Sequence, residues 1–421
     1  PTAVTYGVHL EPTFNGGISQ VAGSPFAVSY TNVYGVRWSP DGKYVAVANT
    51  NSSTTWRIDI YAWDGSTLTF VTEVSSGVTA NSVSSVVWSP DGKYLVFVDS
   101  VANLFAYSFN GSTLTQLGAA VPSAFFAGSV AFSPDGKYIA HEGFAGGNTG
   151  FELFSFTPSS VPALTYLPPV YIDPGVNAAF FVSWSPDGKY LVVPFINNVA
   201  VYKIYPEGKA TLIVKYPFTG AVSTAWSPCG KYIAAGDSSG MVKIFIFDGS
   251  TLIPTGAQAT SLSLDYILAL DWSPDGRYVT VAGGNLGGGS NVITALSFSG
   301  TSLTPIGSTV PIANRATAMH WSPDGKYIVS SEIGAKVRIC SAMYGPANCL
   351  VDNCRVCDTL ATNFNMGRGM VGGGNNTFLR SISSNNTVNY SYGIPNVYDG
   401  RFEILRNVVQ PFDNVSMPTT L

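Results

Sequence analysis

Charge is the first thing this chain lacks. Of its 421 residues, 21 are Lys or Arg and 25 are Asp or Glu, which is 11% of the chain and a net charge of −4. An average soluble domain carries about 25%. With no basic run, the sequence offers no electrostatic footprint for nucleic acid or an anionic membrane. Histidine is scarcer still, at His9, His141 and His320. No His-x-x-x-His, H-E-x-x-H or EF-hand string occurs, so the sequence implies no metal and no cofactor. No apolar run reaches the ~18–20 residues that cross a bilayer, so no transmembrane segment is expected. No leader pattern is read at Pro1. A sustained 3.6-residue apolar period is also missing, which argues against a helical fold.

What is present is a repeat. The string WSPDGKY starts at Trp38, Trp88, Phe132 (as FSPDGKY), Trp184, Trp226 (as WSPCGKY), Trp272 (as WSPDGRY) and Trp321. Successive copies lie 50, 44, 52, 42, 46 and 49 residues apart. Each is preceded by a short alternating segment and followed by two β-prone runs, such as Tyr44–Ala48 and Ile58–Ala62. A turn of the Asp64-Gly-Ser-Thr or Asn110-Gly-Ser-Thr kind and a fourth run complete each unit. Asn-Gly and Asp-Gly mark hairpins because their central residues take positive φ at little cost. Four short antiparallel strands per unit, seven times over, describe an all-β, seven-bladed β-propeller.

The repeated turn has a mechanical reading. Pro presets φ, Asp bonds its own backbone, and Gly takes the left-handed position. Asp41, Asp91, Asp135, Asp187, Asp275 and Asp324 are therefore structural, and the seven copies of the turn carry the bases Lys43, Lys93, Lys137, Lys189, Lys231, Arg277 and Lys326. A feature present in six copies does not make an active site, which needs one asymmetric constellation. Trp38, Trp88, Phe132, Trp184, Trp226, Trp272 and Trp321 read as blade-packing aromatics.

Over residues 30–340 these motifs resemble the WD40-like propeller repeat of the TolB or PD40 type. The resemblance implies the fold and says little about function. Such propellers serve as interaction platforms, periplasmic scaffolds and accessory domains of peptidases, and lactonases also use seven blades. No α/β-hydrolase domain is expected after it and no G-x-S-x-G elbow is read, so a peptidase finds no support. The domain division is 1–340 for the propeller and 341–421 for an extension. Ile18–Val21 matches the fourth-strand runs and is expected to complete the last blade, which would remove a free edge.

After Ser341 the motif stops and Asn, Gly, Ser and Thr dominate, as in Gly372–Thr377 and Ser383–Thr387. Asn-rich turns between short β pieces look like one or two coils of a parallel β-helix. A propeller with such a tail resembles surface proteins of some intracellular bacteria. Cys340, Cys349, Cys354 and Cys357 fall at the junction, spaced C-x8-C-x4-C-x2-C. With one C-x-x-C and no nearby His, two disulfides are favoured over zinc, giving a stapled extension and an oxidising compartment. Cys229, which replaces the turn Asp of the fifth copy, reads as an unpaired surface thiol. N-x-S/T sequons occur at Asn51, Asn110, Asn375, Asn385, Asn389 and Asn414.

For catalysis the sequence offers only His141 beside Glu142, one half of an acid/base site, against the plainer reading of a packed or loop histidine. The glycine-rich run Gly283–Gly289 lacks the G-K-[ST] of a phosphate cradle. Aromatic segments at Ala124–Phe126, Phe144–Gly147, Tyr171 and Ala179–Val182 are candidate contact surfaces. The expectation is a non-catalytic, secreted or cell-surface structural or interaction protein. Its partner is another protein or a second copy of itself, as in a fibre or surface layer. A glycan- or peptide-binding module and a lactonase-like hydrolase are the alternatives.

Overall fold

The computed structural model describes residues 14–28, 31–51, 55–76, 82–173, 181–260, 262, 264, 266–284, 291–334 and 336–344, and short strands between 350 and 391. The chain falls into two compact units, Gly17–Ala342 and a second made of Pro1–Gly16 with Met343–Leu421. No described residue is helical, and no helix is long and apolar enough to cross a membrane.

In the first unit every motif copy sits at the hinge between the first and second strands of an antiparallel sheet. The first repeat pairs Asn32–Trp38, Tyr44–Asn51, Thr55–Trp63 and Leu68–Ser75 in that order. The following repeats build the same meander, and the second adds the short strand Val121–Pro122. The sixth and seventh share one nine-stranded sheet. The link is Phe14–Gln20, which lies against Lys336–Tyr344 of the seventh repeat and touches the outer strand of the sixth at Gly17–Ser308. Val21 N donates to Ile339 O at 3.0 Å, Ile339 N to Ser24 Oγ at 3.0 Å, and Arg338 joins Glu332 to Gln20. An N-terminal segment thus supplies the outer strand that the seventh repeat itself lacks.

The turn chemistry is local and repeats faithfully. The Ser hydroxyl donates to Asp Oδ1 at 2.5–2.7 Å in six copies. The Lys or Arg amide donates to the same oxygen at 3.1–3.2 Å. The Tyr amide donates back to the Ser Oγ at 2.9–3.0 Å in all seven. Burial alone would raise the pKa of Asp41, but the Ser39 hydroxyl, the Lys43 amide and the Lys43 charge outweigh it and hold it below the usual carboxylate range. The same balance holds for Asp91, Asp135, Asp187 and Asp324. In the fifth copy, Ser227 Oγ instead meets Cys229 Sγ at 3.3 Å, and the Cys229 thiol is free and exposed.

The core lies between neighbouring repeats. One cluster joins Ala46, Trp56 and Ile58 of the first to Trp88, Leu95 and Phe97 of the second. Another joins Val33, Trp38 and Val45 of the first to Val329, Val337 and Ile339 of the seventh, so the sheets close on themselves. Across most interfaces the motif Tyr, the ring ending the next repeat's third strand and that repeat's motif aromatic form an edge-to-face trio. Tyr44, Phe109 and Trp88 do so with centroids 5.0 and 5.4 Å apart, and Tyr232, Phe298 and Trp272 at 4.9 and 5.3 Å. Each such pair adds about 0.5–1.5 kcal/mol beyond area burial. Three motif tryptophans also donate Nε1 to the preceding repeat: Trp88 to Arg37 O, Trp184 to Ala131 O and Trp272 to Ala225 O, at 3.1–3.3 Å.

The second unit is described by its backbone. Leu350–Asp352, Arg355–Cys357 and Asn363–Asn365 pair in parallel with Thr377–Leu379, Ile382–Ser384 and Asn389–Ser391, in the same order. The paired residues stand 27, 27 and 26 positions apart in the chain. The expectation of two disulfides among Cys340, Cys349, Cys354 and Cys357 fails at Cys340. It is a free thiol, fully buried on the third strand of the seventh repeat opposite Ile328, and burial pushes its pKa up to about 12. The strand runs on through residue 340 and turns that side chain into the sheet packing. The side chains of Cys349, Cys354 and Cys357 lie outside the described residues.

Candidate functional site

Three groupings of side chains break the repeat symmetry. The first surrounds His141. The ring sits on the second strand of the third repeat, and Glu152 stands opposite it on the third strand. Ser123, on the crossover from the second repeat, has its Oγ 2.8 Å from His141 Nδ1 and donates to Glu152 Oε1. Glu152 also accepts the Ala124 amide at 3.2 Å, and Phe125 N donates to Ser123 Oγ at 3.0 Å. Serine, histidine and carboxylate meet here, but not as a nucleophilic relay. A relay needs the base to bridge nucleophile and carboxylate through its two ring nitrogens. Here Nδ1 faces both partners, and His141 Nε2 is buried with no hydrogen-bond partner among the described residues. The cluster braces the crossover against the third repeat.

Glu142 points to the other side of the same strand. It is fully buried, and neither carboxylate oxygen has a hydrogen-bond partner among the described residues. Burial raises its pKa well above the usual range, and the neighbouring Ser129 amide, out of hydrogen-bond geometry, offsets this only in part. His141 and Glu142 therefore do not form the paired acid/base site that their adjacency allowed.

The second grouping lies on the innermost strands, which touch one another around the ring. The residue just before each motif aromatic is Arg37, Val87, Ala131, Ser183, Ala225, Asp271 or His320. The three charged or titratable ones are consecutive across the closure between seventh and first repeats. Arg37 Nη1 lies 2.7 Å from the His320 ring, and His320 Nδ1 lies 3.3 Å from Asp271 Oδ2. Asp271 also accepts the amides of Trp321 and Trp272, each at 3.0 Å. Burial and the Arg37 charge push the His320 pKa down to about 4, against the pull of Asp271. A neutral imidazole can accept from Arg37 at Nε2 while Nδ1 donates to Asp271. The residues are 49 and 283 positions apart in the chain, and only aligning the repeats would have revealed them.

The third grouping is apolar. Phe126 and Phe144 face each other across the first two strands of the third repeat and remain 46% and 41% exposed. Val101, 44% exposed, sits on the equivalent second-to-third-strand turn of the second repeat. These turns are at the end opposite the Ser-Pro-Asp-Gly turns. Of the other aromatic segments, Tyr171 stacks on Phe151 at 4.6 Å and accepts the Ala210 amide, and Val182 is buried, so both are core.

Gly236-Asp-Ser-Ser-Gly240 does have the G-x-S-x-G spacing of a hydrolase elbow, which corrects the expectation that the string is absent. It forms the hairpin between Tyr232–Asp237 and Val242–Phe247, where Asp237 Oδ1 accepts the Ser239 and Met241 amides at 2.9 and 2.8 Å. An elbow needs a helix after the serine, and a strand follows. Residues 285–289 of the glycine-rich run and His9 lie outside the described residues, and no described group of His, Cys, Asp and Glu could hold a metal ion.

Comparison with known proteins agrees with this geometry. The family described as WD40: WD domain, G-beta repeat matches residues 213–245, from the outer strand of the fourth repeat into the third strand of the fifth. A component of eukaryotic translation initiation factor 3 from Drosophila pseudoobscura pseudoobscura is 36% identical over 109 residues, which is 25% of this chain and 15% of that protein. The crystal structure of the Myceliophteria thermophila Cps50 (Swd1) β-propeller domain superposes with a TM-score of 0.59 at 12% identity, covering 77% of this chain and 99% of that one. Repeat chemistry, closure and structural likeness together make the first unit a β-propeller, with a WD40 repeat matched at residues 213–245.

Proposed function

We propose that this protein is a non-catalytic interaction scaffold. In this reading the propeller has seven blades of the TolB or PD40 type and docks a protein partner on the face carrying Phe126, Phe144 and Val101. The observation that carries it is the exposed, directly opposed Phe126–Phe144 pair, since neighbouring large apolar side chains left in water mark contact sites. The translation-factor relative matches too little of the chain to bring its role here. The charge-poor composition supports a place outside the cell or on its surface, in a fibre or layer where like-charge repulsion is not needed for solubility. The parallel strand pairs of the second unit support self-assembly through that unit, because an end coil leaves strand edges open to pairing.

The test is capture of partners from an extract of the source organism with wild type and a Phe126→Asp/Phe144→Asp variant of equal melting temperature. The proposal expects recovery of specific proteins to fall roughly thirtyfold, the effect of removing an interface hot spot of about 2 kcal/mol. Unchanged recovery rejects this face. Recovery of glycans instead would favour the glycan-binding alternative.

A further inference from the structure

The turn between third and fourth strands carries the same string in three repeats: Asp64-Gly-Ser-Thr67, Asn110-Gly-Ser-Thr113 and Asp248-Gly-Ser-Thr251. In the first, Asp64 Oδ1 accepts Ser66 N, Ser66 Oγ and Thr67 N, all at 2.8 Å, and Oδ2 accepts Thr67 Oγ1 at 2.8 Å. Asp248 repeats the pattern at 2.7–2.9 Å. In the second repeat, Asn110 Oδ1 accepts Ser112 N at 3.0 Å, Ser112 Oγ at 3.1 Å and Thr113 N at 2.9 Å. The fourth bond has no counterpart, because Asn110 Nδ2 is a donor where aspartate offers an acceptor. We propose that Asn110 is a site of spontaneous deamidation, and that the turn is built to accept the aspartate it produces.

The chemistry follows from what surrounds the amide. Three donors converge on Oδ1, draw electron density from Cγ and face the oxygen on which negative charge develops when a nucleophile adds. The nucleophile is the next backbone nitrogen. Gly111 has no side chain to block it and a φ of 97°, and Asn110 is exposed to water. Gly111 N gives its proton to water or hydroxide and bonds to Asn110 Cγ. The Cγ–Nδ2 bond breaks, and Nδ2 takes a proton from water and leaves as ammonia. Water then opens the five-membered imide at Cγ. It leaves a carboxylic acid on residue 110, which ionises, and returns a proton to Gly111 N. Nothing is oxidised or reduced, and water is the co-reactant.

The product already has two templates in the molecule. The backbone amides of Thr67 and Ser66 hold Asp64 far below the usual carboxylate range, and those of Thr251 and Ser250 do the same for Asp248. Aspartate at 110 gains the Thr113 hydroxyl as its fourth donor. The alternative imide opening, which inserts an extra backbone carbon, would misplace Gly111 O, to which Tyr44 of the preceding repeat donates at 3.4 Å.

The test is a time course of the folded full chain at mildly alkaline pH, read by peptide mapping. The other Asn-Gly pair, Asn15-Gly16, serves as reference in the same digests. Residue 110 is expected to acquire the mass of aspartate, with the normal backbone linkage dominant and the melting temperature unchanged or raised. Ser112→Ala removes one Oδ1 donor and should slow conversion about tenfold, less than the hundredfold or more for an enclosed oxyanion donor. Asn110→Asp should melt at or above wild type. The proposal is overturned if Asn110 stays an amide in the folded chain while the denatured chain converts. It is equally overturned if the product is mainly isoaspartate and melts lower.

Discussion

Replacing Glu142 by glutamine removes a buried ionisable group and keeps its shape. Glu142 sits on the second strand of the third repeat, where the aligned residues of the other repeats are Ala48, Val98, Pro194, Gly236, Ala282 and Ser331. It is fully buried without a hydrogen-bond partner among the described residues, and burial raises its pKa. The folded state therefore keeps a proton that the unfolded chain gives up near pH ~4.3. The stability tied to Glu142 is fully present below that pH and is lost as pH rises through the raised folded pKa. Across this window the loss reaches about 1.4 kcal/mol per pH unit, the value for one proton. Glu142→Gln should lack that slope. Glu142→Val, which borrows the residue of the second repeat, also removes the unsatisfied group and should be more stable than wild type at neutral pH by roughly 1–3 kcal/mol. The assay is urea unfolding of all three proteins in pH steps from acid to mildly alkaline, plotted as wild type minus variant. Contributions from groups away from residue 142 are common to the three proteins and cancel. A difference flat with pH, or a wild type more stable than Glu142→Val at neutral pH, would refute the reasoning.

Other outcomes follow from the same contacts. Cys229→Asp restores the carboxylate that six other turns use and should stabilise by about 0.5–1.5 kcal/mol, read by urea unfolding. That gain should vanish as pH falls below the usual aspartate range, because a carboxylate held low contributes only above its unfolded pKa. Trp184→Phe copies the aromatic of the third repeat but loses the 3.1 Å bond to Ala131 O; it should cost about 1 kcal/mol plus any packing loss, and denaturant titration checks it. In the native protein, alkylation followed by peptide mapping should label Cys229 quickly and leave Cys340 unlabelled until unfolding, since one thiol is exposed and the other buried with a pKa raised to about 12.

Most of the propeller was legible because its determinants are local. Ser39, Asp41, Gly42 and Tyr44 close their turn within six residues, so the string itself encodes the hydrogen bonds. Ile18–Val21 could be placed on the seventh repeat because its pattern matched an outer strand that no later residues supplied. The asymmetric features were harder to read. Arg37, Asp271 and His320 meet only when the ring closes, and their signal was the aligned column before the motif aromatic. His141 and Glu142 are neighbours in sequence, yet consecutive strand residues face opposite sides. The same two-residue period explains Cys340. Spacing counted it with the later cysteines, while its strand position turned it into the sheet.

The propeller depends on a ring closed between the seventh and first repeats. Cryo-electron microscopy of the full chain, viewed down the ring axis, tests this most directly. The account predicts seven spokes with no gap, and density for residues 17–24 along the third strand of the seventh spoke. An open arc, another number of spokes, or an N-terminal segment away from Val337–Ile339 would contradict it.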